Sequence, residues 1–276
     1  MGADLHLHTT ASDGRRSPRD LVVAAARAGL TLIALTDHDT VAGIAPARAA
    51  IAELGLALRV VTGIELTATW RGRELHLLGY DFDPDHPELQ RTLATQRVDR
   101  ERRVGAMVDR LRDQGVSISV DQVLAEAGSA TPGRPHLARA LVRIGAVPDE
   151  QAAFDRYLSP GGSAFVPRVA LPVGEAIALI HRAGGVTSLA HPRTVELGPG
   201  PLLDNLVASG LDGIEVVHPG APPALRAYYR RLAHEHGWFL TGGSDDHGPY
   251  PGEADRLGRE SIPMSWIEPW HPDRSG

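Results

Sequence analysis

Asp4-Leu5-His6-Leu7-His8, followed by Thr31-Leu32-Ile33-Ala34-Leu35-Thr36-Asp37-His38-Asp39, are the stretches on which the fold turns. The first alternates with the period of two of a β-strand, so His6 and His8 share a face, about 7 Å apart along the chain. The second is a buried apolar strand ending in a histidine between two carboxylates. Between them Ser17-Pro18 opens a helix, with Ser17 as its cap and Pro18 in its first turn. Apolar positions run through Leu21, Val22, Ala25 and Ala28, and Gly29 stops it. The opening is therefore strand, helix, strand.

The alternation continues outward. A second helix is expected over Ala42 to Leu54 with Gly55 as its stop, then strands over Leu58 to Leu66 and Glu74 to Tyr80. Strands alternating with helices of this length predict parallel pairing through right-handed crossovers. At Asp81-Phe82-Asp83-Pro84-Asp85-His86-Pro87 the pattern breaks into a turn-rich linker, and Glu88 to Leu158 reads as almost wholly helical. Pro160-Gly161-Gly162 closes that segment. Strands over Val186–Ala190, Gly213–Val217 and Trp238–Thr241 then alternate with helices near Val173–Ala183, Leu202–Ser209 and Pro223–His236. The reading is an α/β barrel interrupted by a helical insertion: 1–83 first part, 84–165 insertion, 166–276 second part and tail. Trp266 and Trp270 in the tail are expected to pack on the barrel.

Composition narrows the chemistry. The 276 residues are 42% hydrophobic and 22% charged, as in ordinary globular proteins. With no cysteine, any metal must be held by nitrogen and oxygen. A net charge of -6, with Arg as every basic residue, argues against a surface for duplex DNA. It leaves room for a small anionic substrate, because bound cations would dominate the local field. No apolar run is long enough to span a bilayer, and Met1 to His8 lacks the pattern of a secretory signal, so a cytoplasmic location is expected.

The placement of histidines and carboxylates carries the functional reading. His6 and His8 lie on the first strand, Asp13 in the loop after it, His38 at the end of the second, Glu65 on the third and His76 on the fourth. After the insertion His191 ends a strand, and Asp245 and His247 follow the last one. In a barrel the C-terminal strand ends converge on one pocket, so these side chains predict a metal cluster there. His218, close behind Glu215, stays open between a structural and a functional role; His86, His181, His234, His236 and His271 read as structural or solvated.

Taken together, His6-Leu7-His8 with Asp13-Gly14, Thr36-Asp37-His38-Asp39, Gly63-Ile64-Glu65, His76-Leu77-Leu78-Gly79-Tyr80, Ala190-His191-Pro192, Gly213-Ile214-Glu215-Val216 and Ser244-Asp245-Asp246-His247 resemble the successive motifs of the PHP (polymerase and histidinol phosphatase) superfamily. The resemblance implies a distorted seven-stranded (β/α) barrel and two to three divalent ions. By it, His6, His8, Glu65 and Asp245 hold the first ion, and Glu65 bridges to a second held also by His76 and His191. Asp13, His38 and His247 hold the third. Mixed imidazole and carboxylate ligands suit Mn, Fe or Zn, with Mn favoured by the resemblance. Ions about 3.5–4 Å apart lower the pKa of a shared water, so a metal-bridging hydroxide is the expected nucleophile.

The insertion carries Gly133-Arg134-Pro135-His136, which is similar to a segment of the branch containing 3′,5′-nucleoside bisphosphate phosphatases and enzymes that trim short RNA from its 5′ end. Arg134 offers a forked donor and His136 a second hydrogen bond, so both are candidates for binding a further phosphate of the substrate. The expected partner is a small phosphorylated nucleotide or short oligoribonucleotide, with no membrane and no duplex DNA. Two alternatives stand beside it: a phosphatase of another small ester such as histidinol phosphate, and a non-catalytic metal-binding regulatory module.

Overall fold

The computed structural model describes residues 2–249, 255–268 and 270–271. In chain order the elements are β1 (Gly2–Leu7), α1 (Pro18–Arg27), β2 (Leu30–Leu35), α2 (Ile44–Leu54), β3 (Arg59–Trp70), β4 (Arg73–Tyr80), α3 (Pro87–Asp113), α4 (Val120–Ala127), α5 (Arg134–Arg143) and α6 (Glu150–Ala153), which runs into a π-helical turn at Phe154–Leu158. Then come β5 (Leu171–Pro172), α7 (Val173–Arg182), β6 (Val186–Leu189), α8 (Pro201–Ala208), β7 (Gly213–Val217), α9 (Pro223–His236) and β8 (Phe239–Gly242).

Local chemistry sets the element ends. Ser17 accepts a hydrogen bond from the Asp20 N–H, with Pro18 just inside α1. Gly55 ends α2 at φ 59°, the left-handed cap for which glycine is suited. Leu21, Val22 and Ala25 of α1 and Ala47 and Ala50 of α2 bury their apolar stripe with Leu7, Ile33 and Leu35 of the strands.

The strands form one mixed sheet in the order β1-β2-β3-β4-β6-β7-β8, with the two-residue β5 beside β3. β1–β2–β3 and β6–β7–β8 pair in parallel. The expectation of parallel pairing throughout is corrected at β4, which runs antiparallel to both β3 and β6. Its cause is the turn: Arg71 (φ 49°) and Gly72 (φ 78°) close a hairpin in which Trp70 faces Arg73. Two left-handed residues suit the twist of a tight hairpin, whereas a parallel crossover needs about a dozen residues. Beyond β2 and β8, single parallel bridges join His38 to Glu65 and Leu7 to Asp246.

The chain divides into two compact units, one of residues 1–91 and 170–276, the other Thr92–Val169. The second unit is helical and has its own core, including Val104, Met107, Leu111, Leu137, Leu141 and Leu158. Ser119 and Gln122 form a reciprocal capping box at the start of its α4. In the first unit the tail packs on the sheet: Ala3 and Ile262 exchange backbone hydrogen bonds of 2.9 Å, and the Trp270 ring stacks on Phe239 at 5.1 Å. Among the described residues no helix is long and apolar enough to cross a membrane.

Candidate metal centre

The loop after β1 is built around a buried carboxylate. Asp37 accepts from Thr9 N–H (2.7 Å), Thr9 Oγ1 (2.7 Å) and Ser12 Oγ (2.6 Å), which curls residues 9–13 back over the end of β2. Gly14 is required there, because a Cβ would lie 2.6 Å from the His8 carbonyl carbon. A second carboxylate does the same for β3: Asp39, in a left-handed conformation (φ 52°), accepts from Thr67 N–H at 2.8 Å and gives its own N–H to the Glu65 carbonyl. His38, between them, is thereby set against Glu65.

Glu65 is 1% exposed and stands at the centre of a histidine cluster. Its Oε2 lies 3.3 Å from His6 Nε2, 3.3 Å from His8 Nε2 and 3.1 Å from His38 Nδ1. Its Oε1 lies 2.9 Å from His76 Nδ1 and 3.0 Å from His191 Nε2. Asp245 Oδ1 faces the same nitrogens of His6 and His8 at 3.3 and 3.1 Å. On the other side Asp13 approaches His247 Nε2 (3.5 Å), His8 Nδ1 (3.8 Å) and His38 Nε2 (3.9 Å). Three groupings of metal-ligand type result: His6, His8, Glu65 and Asp245; His38, Glu65 and His76; and His8, Asp13, His38 and His247.

The first grouping has the membership expected from the sequence. In the second His38 stands with Glu65 and His76, while His191 reaches the same Glu65 oxygen and lies 3.3 Å from His76 Nδ1. The third gains His8. His76 arrives by an unforeseen route: because β4 runs backwards, its first half, rather than its end, lies beside the Thr67 end of β3.

These atoms fit divalent cations. Among the described residues, His6 Nε2, both ring nitrogens of His8, His38 Nδ1 and Glu65 Oε2 are buried with no partner in hydrogen-bond geometry, although they converge within a few ångströms. Buried polar atoms ordinarily find partners, so a set that faces inward without hydrogen-bond geometry suits ligation. The electrostatics agree. Burial works against charge on His6, yet Asp245, Glu215 and Glu65 together hold it well above its ordinary pKa. Against the same burial, Asp245 and Glu65 raise His8 to about 10 and Glu65 raises His76 to about 9. Glu65 and Asp245 are pulled far down, against burial, by the surrounding imidazoles, while burial pushes His38 down to about 3. The pocket demands positive charge.

Three further side chains stand beside the groupings: His218, which the sequence left open, and Glu215 and Asp4, to which it assigned no role. His218 Nε2 lies 3.2 Å from Asp245 Oδ2. Glu215 contacts His6 Nδ1 at 2.9 Å and receives the His191 N–H at 2.6 Å. Asp4 accepts from the N–H groups of His6 and Ser244, tying β1 to the loop after β8. The available signal was a carboxylate in the middle of an apolar strand, a costly placement unless it is used. His181 pairs with Asp212 and His271 with Asp81, and neither belongs to a grouping. Arg134 and His136 lie in the first turn of α5, in the second unit, where the Arg134 guanidinium sits 5.9 Å from the Phe165 ring centre. His136 is 2% exposed and its Nδ1 accepts from the Gly133 N–H.

Residues 4–116 match the PHP domain family model. A 5′-3′ exoribonuclease of Haemophilus influenzae is 40% identical over 89% of this chain and 90% of its own. A 3′,5′-nucleoside bisphosphate phosphatase of Chromobacterium violaceum is 32% identical over 94% and 92%. A crystal structure described as a metal-dependent phosphoesterase from Bifidobacterium adolescentis superposes with a TM-score of 0.89, at 37% identity over 98% of this chain and 95% of that one. A mixed sheet bearing this charge-hungry cluster, in a chain with such relatives, defines a hydrolytic enzyme whose site suits metal-dependent phosphoester hydrolysis. The chain belongs to the PHP domain family.

Proposed function

We propose that the enzyme hydrolyses phosphate esters of small nucleotides, with 3′,5′-nucleoside bisphosphates and short 5′-phosphorylated oligoribonucleotides as substrates. The observation that carries this reading is the convergence of His6, His8 and His38 on Glu65, with Asp245 facing the same His6 and His8 nitrogens, which are buried with no partner in hydrogen-bond geometry among the described residues. The names borne by the exoribonuclease and bisphosphate phosphatase relatives supply the substrate class.

In this reading His6, His8, Glu65 and Asp245 hold one ion, Glu65 with His76, His191 and His38 a second, and Asp13, His38, His247 and His8 a third. Imidazole and carboxylate together suit Mn, Fe or Zn, and Mn is the metal we assign. Divalent ions, when bound, polarise phosphoryl oxygens and lower the pKa of water. The chain's own part is to hold these ligands in a dry, pre-set array, so that little reorganisation accompanies reaction. Arg134 acts as a forked donor to a second phosphate of the substrate, and His136, its Nδ1 taken by Gly133, donates through Nε2. The bridge from Leu7 to Asp246 supports closure of the sheet into a distorted barrel, with residues 92–169 as a helical insertion. The absence of cysteine supports a cytoplasmic setting.

The test is release of inorganic phosphate by Mn-loaded enzyme from adenosine 3′,5′-bisphosphate, mononucleotides and histidinol phosphate. The bisphosphate should be turned over best; turnover of histidinol phosphate with none of the bisphosphate would overturn the reading. Arg134→Ala should lose the bisphosphate activity while retaining hydrolysis of a chromogenic phosphate ester.

A further inference from the structure

Glu215 sits in the middle of β7, fully buried, and its carboxylate is divided between two partners. Oε1 lies 2.9 Å from His6 Nδ1, and Oε2 accepts the His191 N–H at 2.6 Å. An ionised carboxylate can only accept hydrogen bonds. When His6 is the neutral imidazole that a metal ligand must be, Nδ1–H donates to that carboxylate and the lone pair falls on Nε2, the nitrogen that lies 3.3 Å from both Glu65 Oε2 and Asp245 Oδ1.

The second oxygen acts on a backbone. His191 has φ 26° and ψ 61°, a conformation that side-chain-bearing residues seldom adopt unless their surroundings impose it. A charge-assisted bond from its N–H is such an imposition. The bend turns the ring so that Nε2 lies 3.0 Å from Glu65 Oε1. Thr194 Oγ1 donates to the His191 carbonyl and lies 3.2 Å from its Nδ1, so Thr194 can accept Nδ1–H and leave Nε2 for ligation.

We infer that Glu215 is a positioning residue joining the two metal groupings that share Glu65: one oxygen selects the ligating tautomer of His6, the other holds the bend that aims His191. The inference rests on the metal-site reading above. Outer partners of this kind orient metal-ligating imidazoles, and their loss weakens metal binding roughly 10–100-fold.

Glu215→Gln tests it, because the two side chains have nearly the same shape. The amide offers one oxygen, so either His6 Nδ1–H or the His191 N–H meets an NH2 group instead. Zn titration by calorimetry should show affinity for one or both ions weakened about 10–100-fold, with the metal-free variant folded by circular dichroism. Imidazole 15N spectra of the Zn-loaded wild type, with His6 assigned through a His6→Asn variant, should place the His6 proton on Nδ1. In Glu215→Gln that signal should shift or vanish. A merely structural carboxylate would lower thermal stability yet leave the His6 signal unchanged. Unaltered Zn affinity and stoichiometry in folded Glu215→Gln, or a His6 proton on Nε2 in the loaded wild type, would overturn the inference. The wild-type spectrum decides even if the variant fails to fold. Wild-type protein that takes up no Zn would instead remove the metal-site reading, and this inference with it.

Discussion

Glu65 balances charge for the whole cluster: each of its oxygens faces at least two imidazole nitrogens within 3.3 Å. Glu65→Gln removes that charge from two groupings at once, so metal affinity should fall beyond the roughly 10–100-fold typical of an outer-partner change, with hydrolysis falling alongside. Near-normal metal content by elemental analysis would contradict this. The raised histidines give a further prediction. Asp245 and Glu65 lift His8 from 6.5 to about 10, and Glu65 lifts His76 from 6.5 to about 9. A raised pKa in the fold means that each proton stabilises the metal-free protein fully below pH 6.5, a contribution lost as pH climbs through 9 to 10. A divalent ion replaces those protons, so its binding releases them and strengthens with pH. Melting experiments at pH 6 and pH 8 should show a larger metal-induced rise in Tm at pH 8. An equal or smaller rise would show that these imidazoles do not yield their protons to the metal.

At the scale of elements the hairpin between β3 and β4 decides how the cluster is assembled. A crossover would have delivered His76 on a strand parallel to β3; the turn at Arg71-Gly72 instead folds β4 back, placing His76 opposite Thr67. Gly72 has φ 78° and open space around its Cα, so Gly72→Ala adds conformational strain without a clash. Holding alanine left-handed costs about 1–2 kcal/mol. Urea denaturation should show a loss of that order with hydrolysis unchanged. Lost activity in a folded Gly72→Ala protein would mean that the turn itself takes part in the site.

At the scale of the molecule the two units have separate tasks in their own packing. The helical unit keeps its apolar side chains in a core of its own, while in the larger unit Ile262 and Ile267 of the tail share a buried cluster with Ala3, Leu5 and Leu32 of the strands. Trp270 packs against Phe239 and Tyr80, with ring centres 5.1 and 5.2 Å away, and none of the three belongs to a metal grouping. It is only partly buried, so Trp270→Ala should cost about 2 kcal/mol, less than the roughly 3–5 of a fully buried aromatic. Calorimetric melting should show the loss with metal stoichiometry intact. Reduced metal content would mean that the tail also shapes the ligand array.

The sequence by itself determined the identity of the ligand-type residues and most of the elements bearing them. The period of two through His6 and His8, the capped helix at Ser17-Pro18 and the strand running into His38 are local signals, set by bonds and contacts between near neighbours. Only the tertiary structure decided which residues share a cation-sized space. His8 and His38 each join more than one grouping, and His191 comes within reach of Glu65 through a backbone bend held by Glu215. Strand direction is likewise a long-range property, since an apolar run such as Leu75 to Tyr80 carries the same side-chain pattern whether it pairs parallel or antiparallel. Pairing is chosen by the turn before the strand and by the neighbours waiting on either side, and no stretch of sequence contains both.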